Sequence, residues 1–210
     1  MEAVKEFTIP MALVDFVPVL LFAIAAILLQ RDLYNKMSKG AFALFAAGTI
    51  DVIAAGALKA LYKLLYAADV CDFTPLNAMF FPVQSIGFLL AGIGILAMLV
   101  HKQGETLPAV AAAPAAFSGT FVFVTLMVAG LGCMDFGLCT IAKKLKKPAA
   151  IALLCVSFVL CLGMGYLSSK NFENASMNWI AEGVNVCGQL CFLLAACLMH
   201  KAGLKELKLQ

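Results

Sequence analysis

The chain is short of charge. Its 210 residues carry 15 Lys+Arg and 12 Asp+Glu, 13% charged in all, where a soluble domain carries about 25%. That deficit excludes a water-soluble globule, which would lack the polar surface to coat itself. It also excludes a disordered chain, whose composition runs the other way. Histidine is nearly absent, with only His101 and His200, both at the ends of apolar runs. There is no Gly-x-Ser-x-Gly, no His-Glu-x-x-His, no His-x-x-x-His and no phosphate-cradling glycine loop. Ser/His hydrolysis and intramembrane metal hydrolysis therefore lack their parts. The formal net charge of +3 comes without a basic-aromatic patch, so nucleic acid is not an expected partner. No sizeable polar segment is present to couple ATP hydrolysis or signalling.

Cysteine is plentiful, eight in all, but seven (Cys133, Cys139, Cys155, Cys161, Cys187, Cys191 and Cys197) lie inside apolar runs and only Cys71 in a loop. A disulfide-stapled secreted module is excluded, and the thiols read as small helix-packing residues. Cys187 and Cys191 share a helical face, but two thiols without further ligands make a poor zinc site. Neither a metal nor a cofactor is expected.

What the chain has is oil. It is 63% hydrophobic, with a mean hydropathy of +0.99. The expected fold class is all-α, a polytopic helical membrane protein forming one integral domain over 1–210. A spanning helix needs about 20 apolar residues, and 10–30, 41–63, 76–100, 149–168 and 177–199 supply five. The first run has an acidic leader (Glu2, Glu6) and contains Asp15, so it reads as a mature helix rather than a signal peptide. The region 107–143 is too long for one span. Pro108, Pro114 and Ser118-Gly119-Thr120 divide it into 105–118 and 120–143.

Seven helices with the N-terminus outside place eleven Lys and Arg in the cytoplasm, including Arg31, Lys143 to Lys147 and Lys201. Lys5, Lys59, Lys63 and Lys170 remain at the outer side. Six helices with both termini inside, treating 107–118 as re-entrant, score slightly worse on the positive-inside rule. Both place the C-terminus in the cytoplasm, and the membrane is read as the plasma membrane. Lys143-Lys144-Leu145-Lys146-Lys147 is a topology signal that also attracts anionic lipid.

His101-Lys102-Gln103-Gly104 and His200-Lys201-Ala202-Gly203 hint at repeated halves, 10–104 and 120–203. Two parallel triplets joined by a fourth helix would be an arrangement similar to that of SWEET-type sugar transporters. The likeness is architectural: Pro82-Val83-Gln84 is not the Pro-Gln dipeptide of that group.

Four acids sit within apolar spans: Asp15, Asp51, Asp135 and Glu182. Each costs about 2.5–3.5 kcal/mol at a bilayer centre on insertion scales, so such groups face a cavity or a partner. Asn178, Glu182, Asn185 and Gln189 form one stripe along the last helix. Asp51 lies in a small-residue stripe (Ala43, Ala47, Ala55, with Gly48 and Gly56) that invites close packing against another helix. Lys59, two turns from Asp51, is expected to snorkel outward. Asp15 and Gln84 stand beside Pro18 and Pro82, where a bent helix exposes backbone and side chain together. Trp179 is either a gate or an interfacial anchor. Asp135 is either an inner proton or cation acceptor or a salt-bridge partner for Lys143 and Lys144.

The expected function is a small transporter or substrate-binding membrane subunit moving a small polar or charged solute. Asp15, Asp51, Gln84, Trp179, Glu182, Asn185 and Gln189 would line the path. Asp51, Asp135 and Glu182 would couple protons or cations. A non-transporting heptahelical sensor, or a structural subunit in a homo-oligomer or membrane complex, is the alternative. An intramembrane enzyme pairing Asp51 with Asp135 or Glu182 is third.

Overall fold

The computed structural model describes residues 8–100, 120–168 and 175–207, and every regular element among them is helical. In chain order these are α1 (Ile9–Val14), α2 (Phe16–Leu33), a single 3-10 turn (Tyr34–Lys36), α3 (Lys39–Ala67), α4 (Thr74–Ala78), α5 (Phe80–Val100), α6 (Thr120–Lys144), α7 (Pro148–Ser168) and α8 (Ala175–Lys201). Five helical stretches are long and apolar enough to cross a membrane: Ile9–Lys36, Lys39–Ala67, Thr74–Val100, Val122–Lys144 and Ser176–Lys201. A shorter apolar stretch, Pro148–Met164, lies in α7. The all-helical, membrane-compatible class is as expected. The helix expected over 105–118 lies outside the described residues.

Local chemistry sets the boundaries. Ser38 caps α3, its Oγ accepting from the Ala41 N–H at 3.2 Å, as a capping serine does. Three helices end alike. Asp69 (φ 54°), Lys146 (φ 55°) and Gly203 (φ 84°) turn left-handed, and the next N–H reaches back five residues, from Val70 to Leu65, Lys147 to Ala142 and Leu204 to Met199. This is the Schellman ending, which satisfies otherwise orphaned carbonyls.

Two spans are interrupted near their entry. The breaks fall at Asp15, between α1 and α2, and at Met79, between α4 and α5. Pro18 has no N–H for the Val14 carbonyl and Pro82 none for that of Ala78, so each proline loosens the turn before it.

The helices pack as an ordered bundle in which α3 lies against α5, α5 against α6, α7 against α8, and α2 against α8. Glycine sets the closest approaches. A Cβ on Gly48 would meet the backbone of Gly87 and Ala91, and one on Gly130 the backbone of Phe88 and Leu89. Only part of the expected small-residue stripe makes this contact: Gly48 and Asp51 meet Gly87, and Ala55 is buried. Ala43 and Ala47 are exposed and Asp51 is only half-buried, while Ala41, Phe45, Gly48 and Val52 form the buried face. Small residues occur on two faces of α3, and glycine, which brings backbones nearest, decides between them.

The contacts also fix direction. Gly48 meets Gly87 while Gly94 meets Ala41 and Phe45, so α3 and α5 are antiparallel. Gly130 meets Phe88 and Leu89 while Gly137 meets Ile95 and Leu99, so α5 and α6 are parallel. Helices α2 and α8 are parallel as well: Phe22 stacks on Phe192 and Asp32 pairs with His200. One end of the bundle gathers Arg31, Lys36, Lys39, Lys143, Lys144, Lys146, Lys147, Lys201 and Lys205. Among the described residues only Lys59 and Lys63 lie toward the other. A buried core of Phe22, Phe45, Phe88, Ile95, Met134, Leu138, Phe192 and Met199 fills the middle.

Candidate functional site

At the end away from the basic cluster, the two proline-interrupted helices face α3, α6, α7 and α8 around a cavity of about 150 Å³. Its walls are largely apolar, with Phe22, Phe80, Phe81, Phe88, Met127, Leu131 and Met164. Its polar groups are Asp15, Lys59, Gln84, Glu182, Asn185 and Gln189. Helical periodicity puts Glu182, Asn185 and Gln189 on one face of α8, and that face lines the cavity.

Beside the cavity, the Lys63 ammonium lies 2.6 Å from Asp15 Oδ2 and 2.9 Å from Glu182 Oε1, and donates a hydrogen bond to the latter. The three side chains are 7–9% exposed. The triad joins α3 to the α1–α2 break and to α8. Two carboxylates on one ammonium leave one negative charge in excess when all three are ionised. Glu182 Oε2 has no hydrogen-bond partner among the described residues.

Lys63 was expected at the outer edge of its span and is instead a buried centre of charge. Lys59, expected to snorkel outward, lines the cavity with its Nζ 4.0 Å from the centre of the Phe80 ring. The two lysines are four residues apart and therefore share a face of α3. That spacing was the available signal. It was masked because a lysine near the end of an apolar run ordinarily reaches for water.

Of the expected site residues, Asp15, Gln84, Glu182, Asn185 and Gln189 meet at this cavity, whereas Asp51, Trp179 and Asp135 are not among its lining residues. Asp51 sits beside Gly87 at the α3–α5 contact. Trp179 is an exposed residue near the start of α8. Asp135 is buried at 6% exposure, and neither of its carboxylate oxygens has a hydrogen-bond partner among the described residues. The salt bridge to Lys143 or Lys144 is thus not made. Asp135 lies one turn along α6 from Leu131, which lines the cavity.

A second polar cluster occupies the basic end. His200 Nδ1 lies 2.7 Å from Asp32 Oδ2, Arg31 Nη2 is 3.2 Å from His200 Nε2, and Lys36 Nζ donates to the Leu207 carbonyl. Among the described residues, no group of three His, Cys, Asp or Glu side chains is placed to hold a metal ion.

Comparison with protein-family models, curated proteins and solved structures finds no match. The likeness of arrangement to SWEET-type transporters therefore has no counterpart in sequence or in a solved fold.

Proposed function

We propose that this is an integral membrane protein of the plasma membrane that binds a small polar or charged solute in the cavity and moves it across. The observation that carries the reading is that Glu182, Asn185 and Gln189, the polar face of α8, line one cavity together with Asp15 and Gln84. Polar groups of this cost are retained in a bundle where they meet a solute, water or one another.

The proposed topology is seven crossings with the N-terminus outside and the C-terminus in the cytoplasm. Two consecutive parallel helices, α5 and α6, support an odd count over an even one. Lys63 is buried and Lys59 turns into the cavity, which takes both charges from the outer surface and sharpens the positive-inside bias. The cavity then lies toward the outer leaflet, and Lys143 to Lys147 meet anionic lipid at the inner one. The up-down-up course of α2, α3 and α5 recurs in α6, α7 and α8, as repeated halves at 10–104 and 120–203 would require.

In mechanism, the excess charge of the Asp15–Lys63–Glu182 triad is the coupling element. A proton or a cationic group neutralises the triad and leaves the Lys59 charge at the cavity to be balanced by an anion, and its release restores the pull of Lys63 on both acids. Asp135, beyond the cavity floor toward the basic end, is the next acceptor along the route. Asp51, at a helix contact outside the cavity, has no part in it. One observation favours a second reading, a non-transporting sensor or structural subunit: Lys63 already engages both acids from within the chain.

Radiolytic hydroxyl-radical footprinting of the full chain in nanodiscs separates the two. Met127 and Met164 line the cavity, whereas Met98 and Met134 are packed in the core at 4% and 1% exposure. A water-filled cavity oxidises the first pair faster than the second. Equal, slow oxidation of all four means a dry interior and overturns the transport reading.

A further inference from the structure

Resting on the solute-binding reading above, we infer that the cavity accepts a small zwitterion with an apolar side group, of the class of the apolar amino acids. The inference comes from what the site leaves unpaired. Glu182 Oε2, on a residue 5% exposed, has no hydrogen-bond partner among the described residues. Lys59 touches an aromatic face, and no carboxylate stands within salt-bridge distance of it among the described residues. Glu182 and Lys59, of opposite charge, both line the cavity.

The charges of the site constrain the ligand further. Asp15 and Glu182 oppose Lys59 and Lys63, so the four sum to zero when ionised. A ligand with net charge would leave a buried excess, which is costly in a low-dielectric interior. A ligand that is itself neutral overall but carries both signs leaves none.

Spacing and size agree. Lys59 and Lys63 stand one turn apart on α3, about 6 Å along the axis. An ammonium and a carboxylate on one small molecule bridge such a gap with a hydrogen bond at each end, the ammonium on Glu182 and the carboxylate on Lys59. The remaining wall, with Phe22, Phe88, Met127 and Leu131, is apolar. A cavity of about 150 Å³ suits a body on the scale of a benzene ring, the size an engineered protein cavity of that volume accepts.

The test is equilibrium binding of radiolabelled L-leucine, L-methionine and L-phenylalanine to the full chain in nanodiscs. Isoamylamine and 4-methylpentanoate, which keep the leucine side group but carry one charge each, serve as competitors. Saturable binding of at least one of the three amino acids is expected, with both single-charge analogues weaker by about tenfold or more, as loss of one charge-assisted hydrogen bond implies. Lys59→Gln should bring isoamylamine level with the amino acid, and Lys59→Arg should restore the preference. Both variants are compared with the parent for monodispersity and melting temperature, so that misfolding is not read as lost binding. Absence of saturable binding for all three amino acids overturns the inference. So does either single-charge analogue matching the amino acid on the parent protein, or Lys59→Gln leaving the preference intact in a folded protein. The methionine footprint stands apart from these outcomes: a wet cavity that binds a cation alone sinks the zwitterion and keeps the solute site.

Discussion

The two ends of the bundle solve the same problem with different materials. At each, an acid of the first span is tied to the last helix. At the cavity end Asp15 reaches Glu182 through Lys63, and all three side chains are nearly buried. At the basic end Asp32 pairs directly with His200. There the Asp32 side chain is 1% exposed, but His200 is 39% and Arg31 57% exposed. Partners at the basic end can turn to water if the contact breaks, whereas those at the cavity end have only the cavity. The first arrangement can be lost cheaply, and the second concentrates charge where a solute or proton can exploit it.

This contrast sets the largest expected effect. Lys63→Met leaves two buried carboxylates facing each other without their cation, and breaking a buried pair costs about 3–5 kcal/mol. Unfolding of the parent and the variant in mixed micelles, titrated with SDS, measures the loss. Adding Asp15→Asn and Glu182→Gln to Lys63→Met should recover much of it, because two unpaired buried acids are then replaced by the single charge of the half-buried Lys59. If Lys63→Met alone is as stable as the parent, water already reaches the triad well enough to hydrate both acids. The electrostatic distinction between the two ends then disappears.

Much of the cavity end was legible in the sequence, and the reason is periodicity. Glu182, Asn185 and Gln189 recur on one helical face, and Pro18 and Pro82 mark the loosened turns beside Asp15 and Gln84. Lys63 was not legible because its partners lie on other spans, and no one-dimensional pattern shows whether a lysine near the end of a run turns inward or outward. Helix α3 has 29 residues, about 44 Å at the usual rise, which is longer than a hydrocarbon core of about 30 Å. A span cut at Lys63 therefore hides the turn that follows it. Asp51 packs against a neighbouring helix, as its small-residue stripe implied, but outside the cavity. Its alanine stripe and the Gly48 face are equally small in sequence, and only the contact with Gly87 and Ala91 separates them. At the basic end, a histidine at a helix C-terminus such as His200 is favoured by the helix dipole alone, so its position gives no sign of a further partner. Its pairing with Asp32 joins residues 168 positions apart, beyond the reach of any local pattern.

An intermediate effect is expected from Asp32→Ala. The carboxylate is buried, so its removal loses the hydrogen bond from His200 and leaves a small void, in the range of about 1–3 kcal/mol for a buried hydrogen-bonding group. The same SDS titration reads it. The loss should fall below that of Lys63→Met, because His200 is free to solvate. Equality of the two would mean that the basic end is as closed to water as the triad.

The smallest effect is expected from Arg31→Gln. Arg31 is 57% exposed and approaches Asp32 only at 3.6 Å, while its Nη2 lies 3.2 Å from His200 Nε2. With Arg31 more than half exposed, a contact of this kind contributes less than about 1 kcal/mol and weakens further as salt screens it. The stability of Arg31→Gln should therefore nearly coincide with that of the parent, and the remaining difference should shrink as salt is raised. A double-mutant cycle with His200→Gln isolates the contact between the two side chains. Coupling that is large and indifferent to salt would make Arg31, His200 and Asp32 one shielded network. The basic end would then resemble the triad, and exposure of its cations would no longer explain why the two ends differ.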